Sequence, residues 1–418
     1  MRMWRIVSVP AFRRYWFGDI GSGLMAEVLQ VAVMWHLTAF GHAPQGVGWF
    51  GFFSAAPVVI GGPLVAHLFR RWSVRSVMVL ELLIRMLGSG FLAALLLTAT
   101  GHAVPFWAFD LVAGLGALFL MASSAGGPSL WPQLLPERQI GHAMQAEQFE
   151  WNLVSAIGPL VAGWLIAGVG LAAIAAVAAL LFALCSVNLA TIPLTGQGRQ
   201  VVLERTRADG AMVREVWRAI ARERAIWLTT GLFWVLNAVG GLESVFLPLI
   251  VRAFWHGDAW LYGALLGTGA IGGLVGSLTL ASAQGGHLLR KVMFWEFLAS
   301  VATLLLLPGL RDPVFAFGGL GISSAIGAAT ATWVLRLRFD AIGEAERPAV
   351  LSYIRTGLWT ASPCGALLGG LVWRPATAAA VLAAGVALMS LAALGGLAAA
   401  AGWPRRTVAS RRSAGHGG

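Results

Sequence analysis

Apolar runs of about 19 residues or more recur along almost the whole chain, and no other feature narrows the possible folds so far. A run of that length can cross the ~30 Å hydrocarbon core of a bilayer as a helix. Composition agrees, with 11% of residues charged and 58% hydrophobic, where a soluble domain carries roughly a quarter charged. Such a chain is an integral membrane protein of the all-α class. Bounded by Gly, Pro and charges, the runs give twelve candidate spans. They lie near 15–39, 46–68, 77–99, 105–127, 146–168 and 171–194, then 226–250, 259–282, 292–310, 314–335, 350–373 and 376–401. A short "VGLA" turn joins the fifth and sixth.

The lead "MRMWRIVSVPAFRRYWFGD" reads as an approach to a retained first span. The run after it is too long for a signal-peptide core, and no small-residue cleavage site follows. Cys185 and Cys364 both fall in apolar runs, which argues against a structural disulfide or a zinc site. The net charge of +11 is a topology signal rather than a sign of nucleic-acid binding. With the N-terminus inside, 24 of the 29 Arg and Lys residues fall in cytosolic segments. Arg70, Arg71, Arg75 and Arg290 are among them, as are seven arginines in 197–224 and four after Trp403. Only Arg252, Arg311 and Arg374 fall outside, and Arg85 and Arg355 lie within spans. Both termini are therefore expected in the cytosol of a bacterial cell, with the chain multi-pass in its inner membrane. The surplus charge also attracts anionic lipid.

The polar stretch 197–224 divides the spans six and six, and from Val213 it has the spacing of an amphipathic surface helix. The expected organisation is an N-terminal six-helix half (1–196), a cytosolic linker (197–224), a C-terminal six-helix half (225–402) and a basic tail (403–418). Two echoes tie the halves together. "RSVMVLE" from Arg75 and "RKVMFWE" from Arg290 agree at four of seven positions and both follow the second span of their half. "PERQIGHAM…GPLVAG" and "AERPAVLSY…GALLGG" open the fifth span of each half. A parallel repeat of this kind places a substrate site between two rocking halves.

On these features the chain resembles the major facilitator superfamily, and within it the bacterial exporters of the enterobactin-exporter and macrolide-efflux branch. "FRRYWFGDIGSGLMAEVLQVAV" resembles their first span and "LWPQLLPERQIGHAMQAEQF" their 4–5 connection. "IGPLVAGWL", with Gly158, Pro159 and Gly163, resembles the Gly-Pro motif of antiporter span 5. The resemblance implies a twelve-helix fold of two pseudo-repeat halves and secondary transport. Three positions depart from the family pattern. Arg70 stands where the 2–3 loop usually carries Asp, which implies a gate rebuilt around other charges, Glu81 among them. Met25-Ala26 followed by Glu27 replaces the usual Gly-Asp of span 1. Val154 and Ala162 replace two glycines of span 5.

Charge inside a span is costly, about 2.5–3.5 kcal/mol at the centre, so it turns toward the protein interior or a wet cavity. In span 1, Asp19, Gly23, Glu27 and Gln30 share one side of a helix, with Glu27 near mid-membrane. A carboxylate there can exchange protons or pair with a cationic substrate, and a structural ion pair is the plainer alternative. Glu81 and Arg85 stand i, i+4 and can pair; a switch of Arg85 to Asp110 on span 4 would make a gate. Glu81 and Glu296 lie just inside the cytosolic boundary, where a neighbouring span end or a loop arginine, with Arg70, Arg71, Arg75 and Arg290 as candidates, can reach them as latches. Glu147 and Glu150 open span 5 and read either as an ordinary acidic first turn or, for Glu150, as a functional acid facing Arg355 on span 11. Glu243, after the glycines of "NAVGG", is a candidate for the outward cavity, and Asn237 and Gln30 are milder ones.

The histidines have no metal-ligand spacing, and the chain carries no nucleotide loop, no Ser-His-Asp arrangement and no HExxH. The glycine run of span 8 serves helix packing rather than phosphate binding. Trp16, Trp35, Trp151, Trp234 and Trp359 enter spans and either stack on a substrate or pack against lipid. The expected protein is a monomeric, non-enzymatic, cofactor-free transporter whose partners are protons, a small molecule and the bilayer. It exports a hydrophobic or amphiphilic compound of drug, antibiotic or siderophore type by alternating access and proton antiport, which would confer antibiotic resistance. An importer or lipid translocator on the same fold, a transport-inactive sensor or scaffold, and an intramembrane enzyme with paired carboxylates are the alternatives.

Overall fold

Inside a bilayer no water satisfies the backbone, so a spanning segment must close its own hydrogen bonds, and for these runs that means a helix. The computed structural model describes residues 3–40, 43–99, 104–194, 223–280, 287–342 and 347–401, and the regular elements among them are all helical. Nearly all of the expected linker, the start of the second echo (345–346) and the basic tail lie outside these residues.

Twelve spans result. Span 1 is Pro10–Leu37, with Pro10 in the first turn, where its missing N–H is no loss. Span 2 is broken into Ala43–Phe53 and Val58–Arg71 ahead of Pro57. Span 3, Val74–Thr98, is capped by the Ser73 hydroxyl, which accepts from the Ser76 amide. Span 4 is Phe106–Leu134. Spans 5 and 6 form one 51-residue run, Ile140–Ala190, about 77 Å long and so enough for two crossings. The turn expected there is instead a single residue, Gly170, at φ 76° and ψ 169°, a backbone region that glycine alone enters cheaply. Span 7 is Arg224–Ala253. Spans 8 and 10, Ala259–Thr279 and Pro313–Ala341, are capped by Asp258 and Asp312. Span 9 is Leu288–Thr303 continued by Leu306–Gly309, span 11 is Arg347–Trp359 followed by Ala361–Val372, and span 12 is Ala378–Ala401.

Packing repeats with a shift of six. Span 1 packs on 5 and 6, span 3 on 4 and 6, and span 4 on 2; likewise 7 packs on 11 and 12, 9 on 10 and 12, and 10 on 8. The seam between halves pairs span 5 with span 8 and span 2 with span 11. Span 5 therefore does not face span 11 along its length, as the sequence reading had it. Its glycine stripe fits span 8 instead.

That stripe explains the seam. A Cβ added at Gly163 would stand 2.7 Å from the Ala259 carbonyl oxygen, and one at Gly48 would stand 2.7 Å from the Gly370 Cα. Only glycine lets these backbones meet. Gly263 and Gly267 of span 8 turn to span 5, while Gly272 and Gly276 turn to span 10.

Candidate functional site

The arginines at the 2–3 and 8–9 junctions mark a basic face, and the opposite face is called the far face here. The contacts holding the halves together run from mid-membrane to the far face. There Arg252, at the end of span 7, donates to the Thr38 hydroxyl (2.8 Å) and sits 5.2 Å from the Trp35 ring. Trp35 stacks on Tyr262 of span 8 at 5.8 Å. On the basic face Glu147 of span 5 and Arg355 of span 11 lie within electrostatic reach but form no ion pair. The main contacts between the halves among the described residues thus lie toward the far side.

Span 1 is the spine of the acidic groups. Gly23 lies against Val154, and Glu27 lies against Gly158: a Cβ on Gly158 would stand 2.9 Å from the Glu27 Cβ. The carboxylate thus sits where spans 1 and 5 meet, within reach of Tyr262 across the seam. Two turns toward the basic face, Tyr15 donates to Asp19 (3.1 Å). Glu147 and Glu150 approach these two from span 5. Glu150 is only 8% exposed and has no hydrogen-bond partner among the described residues. Because the helix starts at Ile140, Glu147 lies two turns inside it, out of range of the helix N-terminus. The reading as an acidic first turn is thereby excluded. A small cleft between spans 1, 3, 4 and 6 reaches Asp19 from behind, past Ser22, Ser123 and Asn188.

Glu81 and Glu296, the acids of the sequence echo, are both buried at equivalent places. Glu81 accepts from the Ser123 hydroxyl of span 4 and pairs with Arg85 at 2.9 Å. Glu296 accepts from the Thr330 hydroxyl of span 10. Ser300 occupies the position four residues on, where the first half has Arg85, and it bonds Ser390. The junction arginines do not reach either acid. Arg75 donates to the Ile192 carbonyl (3.1 Å), Arg70 meets His67 (3.0 Å), and Arg71 and Arg290 are exposed. Arg85 stays with Glu81, and Asp110 keeps a buried, unpartnered oxygen, so the structure holds no Arg85–Asp110 contact.

Glu243 likewise has a buried oxygen without a partner, beside Gly241, whose backbone presses on Ser362 of span 11. Gln30 and Asn237 are exposed, the latter donating to the Phe233 carbonyl (2.6 Å). Trp16 and Trp35 are buried, Trp151 and Trp234 exposed, and Arg355 covers Trp359 at 4.8 Å. No group of three or more His, Cys, Asp or Glu among the described residues is placed to hold a metal ion.

Several partners escaped sequence reasoning. Ser123, Thr330 and Thr38 are small hydroxyls common in helices, and nothing local marks them. Tyr15 and Tyr262 did carry a signal, because the chain has only three tyrosines against 21 phenylalanines. A phenol retained in a greasy helix has a polar partner to meet.

Two six-span halves that repeat each other's packing and share a glycine seam are the build of a membrane transporter. The chain belongs to the Major Facilitator Superfamily, whose family model matches residues 15–285. No curated protein matches it. Among solved structures it resembles the xylose transporter XylE from E. coli in an inward-open conformation, with 13% identity, a TM-score of 0.70, and coverage of 96% of this chain and 99% of that one. It also resembles the nucleoside transporter NupG (13%, 0.68, 93% and 98%) and a bacterial homologue of the iron transporter ferroportin (15%, 0.66, 93% and 98%). At these identities the likeness is one of fold.

Proposed function

We propose that the protein exports a hydrophobic or amphiphilic small molecule, of drug, antibiotic or siderophore type, from the bacterial cytosol in exchange for protons. The observation that carries this reading is the position of Glu27. Its carboxylate lies on Gly158 of the Gly-Pro segment, beside the span 5–span 8 seam that must part when the far face opens. Charging or neutralising a group at such a seam changes the energy of one conformation relative to the other, which is what coupling requires. The basic face is read as cytosolic by its arginines, so the present conformation loads from the cytosol.

The gradient is adequate. A proton moving down it yields about 2.3 kcal/mol per 100 mV, and about 1.36 kcal/mol per pH unit. That supports one to two decades of substrate concentration per proton. Glu27 is assigned the proton, with Glu150 the next acid on the same path. Arg252 on Thr38 and Trp35 is the far-side latch. The Glu81–Arg85 pair and Glu296 hold spans 3–4 and 9–10 together within each half.

The test uses everted membrane vesicles energised with a respiratory substrate and offered macrolides, siderophores and lipophilic cations, with and without an uncoupler. Uncoupler-sensitive uptake that Glu27→Gln abolishes is expected. Uptake that survives the mutation moves the proton site to Glu150. Accumulation by right-side-out vesicles alone would replace export by import.

A further inference from the structure

We propose that the cleft between spans 1, 3, 4 and 6 binds one sodium ion on the Asp19 carboxylate. The site lies inside the N-terminal half, away from the seam between the halves, and depends on neither the cargo nor the direction of transport. Tyr15, Asp19 and Ser22 follow one another at spacings of four and three on one side of span 1. Ser123 of span 4 and Cys185 and Asn188 of span 6 complete the polar lining, and span 3 adds an apolar wall. Gly18 lets span 6 come this close, because a Cβ there would stand 2.8 Å from the Asn188 Nδ2.

The hydroxyls and the thiol around the cleft all spend their protons on protein oxygens. Tyr15 donates to the Asp19 Oδ2 (3.1 Å), Ser22 to the Asp19 carbonyl (3.0 Å) and Cys185 to the Gly18 carbonyl (3.4 Å). Ser123 donates to Glu81. The Asn188 amide donates to the Arg14 carbonyl (2.8 Å), and its oxygen accepts from the Arg14 Nε (3.2 Å). One Asn188 proton is the sole donor left over. The remaining capacity is lone pairs, on the second Asp19 oxygen and on the Tyr15, Ser22 and Ser123 oxygens.

Asp19 also forms no ion pair among the described residues. Arg85 is held by Glu81 at 2.9 Å, so that pair is neutral, and Arg14 is committed to Asn188 and Thr191. A carboxylate withdrawn from water without a counter-ion is costly. The cleft therefore lacks one positive charge and offers oxygen to receive it. Its free space is of about water size, which shuts out organic cations. One uncompensated carboxylate matches one charge, and no group of acids is gathered as Ca²⁺ or Mg²⁺ would require. Sodium satisfies size, charge and ligand type together. A water molecule would satisfy the lone pairs and leave the charge standing.

The experiment is equilibrium dialysis of radioactive sodium against the full-length protein in nanodiscs, with choline chloride holding ionic strength constant. One saturable site per chain is expected, from which potassium displaces sodium at least tenfold less well than sodium itself. Asp19→Asn should abolish it. Ser22→Ala removes one oxygen that otherwise bonds only its own helix, so it should fold even if the asparagine variant does not. It should weaken sodium at least threefold.

No saturable sodium binding by the wild type overturns the proposal and leaves water as the occupant. Undiminished binding in Asp19→Asn or in Ser22→Ala overturns it as well. Binding lost in Glu27→Gln but kept in Asp19→Asn would move the ion to the seam, and equal competition by potassium would overturn the sodium assignment. The dialysis needs no gradient and no cargo, so its failure leaves the export reading untouched, and absent uptake leaves this one untouched.

Discussion

Ser123 and Thr330 each direct a hydroxyl at a buried glutamate, but Arg85 backs only the first. The Thr330 hydroxyl has one proton and also lies 2.9 Å from the Gly327 carbonyl, so Glu296 shares this donor with the helix backbone. The two halves thus solve the same problem with different charge. Arg85→Ala leaves Glu81 buried beside a hydroxyl alone and should cost about 3–5 kcal/mol. Ser123→Ala keeps the ion pair and should cost about 1.5–3 kcal/mol. Denaturant unfolding of the two variants in detergent checks the order, and equal losses would show that the pair is not what holds Glu81. Glu81 and Arg85 were legible as a pair from their i, i+4 spacing. The hydroxyls were not, because their partners lie 42 and 34 residues away on neighbouring helices.

Helix pairs are decided by where small residues fall. Span 8 carries glycines on two faces, one set meeting span 5 and the other span 10, so a single helix serves both the seam and its own half. Gly163→Leu should force spans 5 and 8 apart. The expected result is a folded protein whose far-face residues, probed by a cysteine at Thr38, become reactive to an impermeant thiol reagent while transport falls at least tenfold. Unchanged reactivity would mean that the seam is held elsewhere. Gly170→Ala tests a different property of the chain. No atom lies within 4 Å of a Cβ added there, so the cost is that of the backbone alone, about 1–3 kcal/mol. A smaller loss of stability would mean that the 5–6 junction relaxes readily into ordinary helix.

At the scale of the whole molecule, the proposed transport cycle makes closure of one face and opening of the other two views of one rocking motion. Opening the far face must release Arg252 from Thr38 and Trp35, and narrowing of the basic mouth must bring Glu147 toward Arg355. With Cys185 and Cys364 replaced by serine, cysteines at 147 and 355 should cross-link faster through a short bifunctional reagent in Arg252→Ala than in the parent that keeps Arg252. Equal rates would separate the two ends and argue against rigid halves.

Span number, membrane character and the six-plus-six repeat were fixed by composition and periodicity, because each helix must by itself satisfy its backbone in lipid and so must be apolar over its own length. The pairing of Glu81 with Arg85 and the acidic side of span 1 were legible for the same local reason. Which helices meet across the seam, that span 5 seats on span 8, and that Glu150 is left without a partner followed only from the tertiary structure. Those outcomes depend on the fit of small residues and single hydroxyls from segments far apart in the chain, and no local pattern encodes the sum of such contacts.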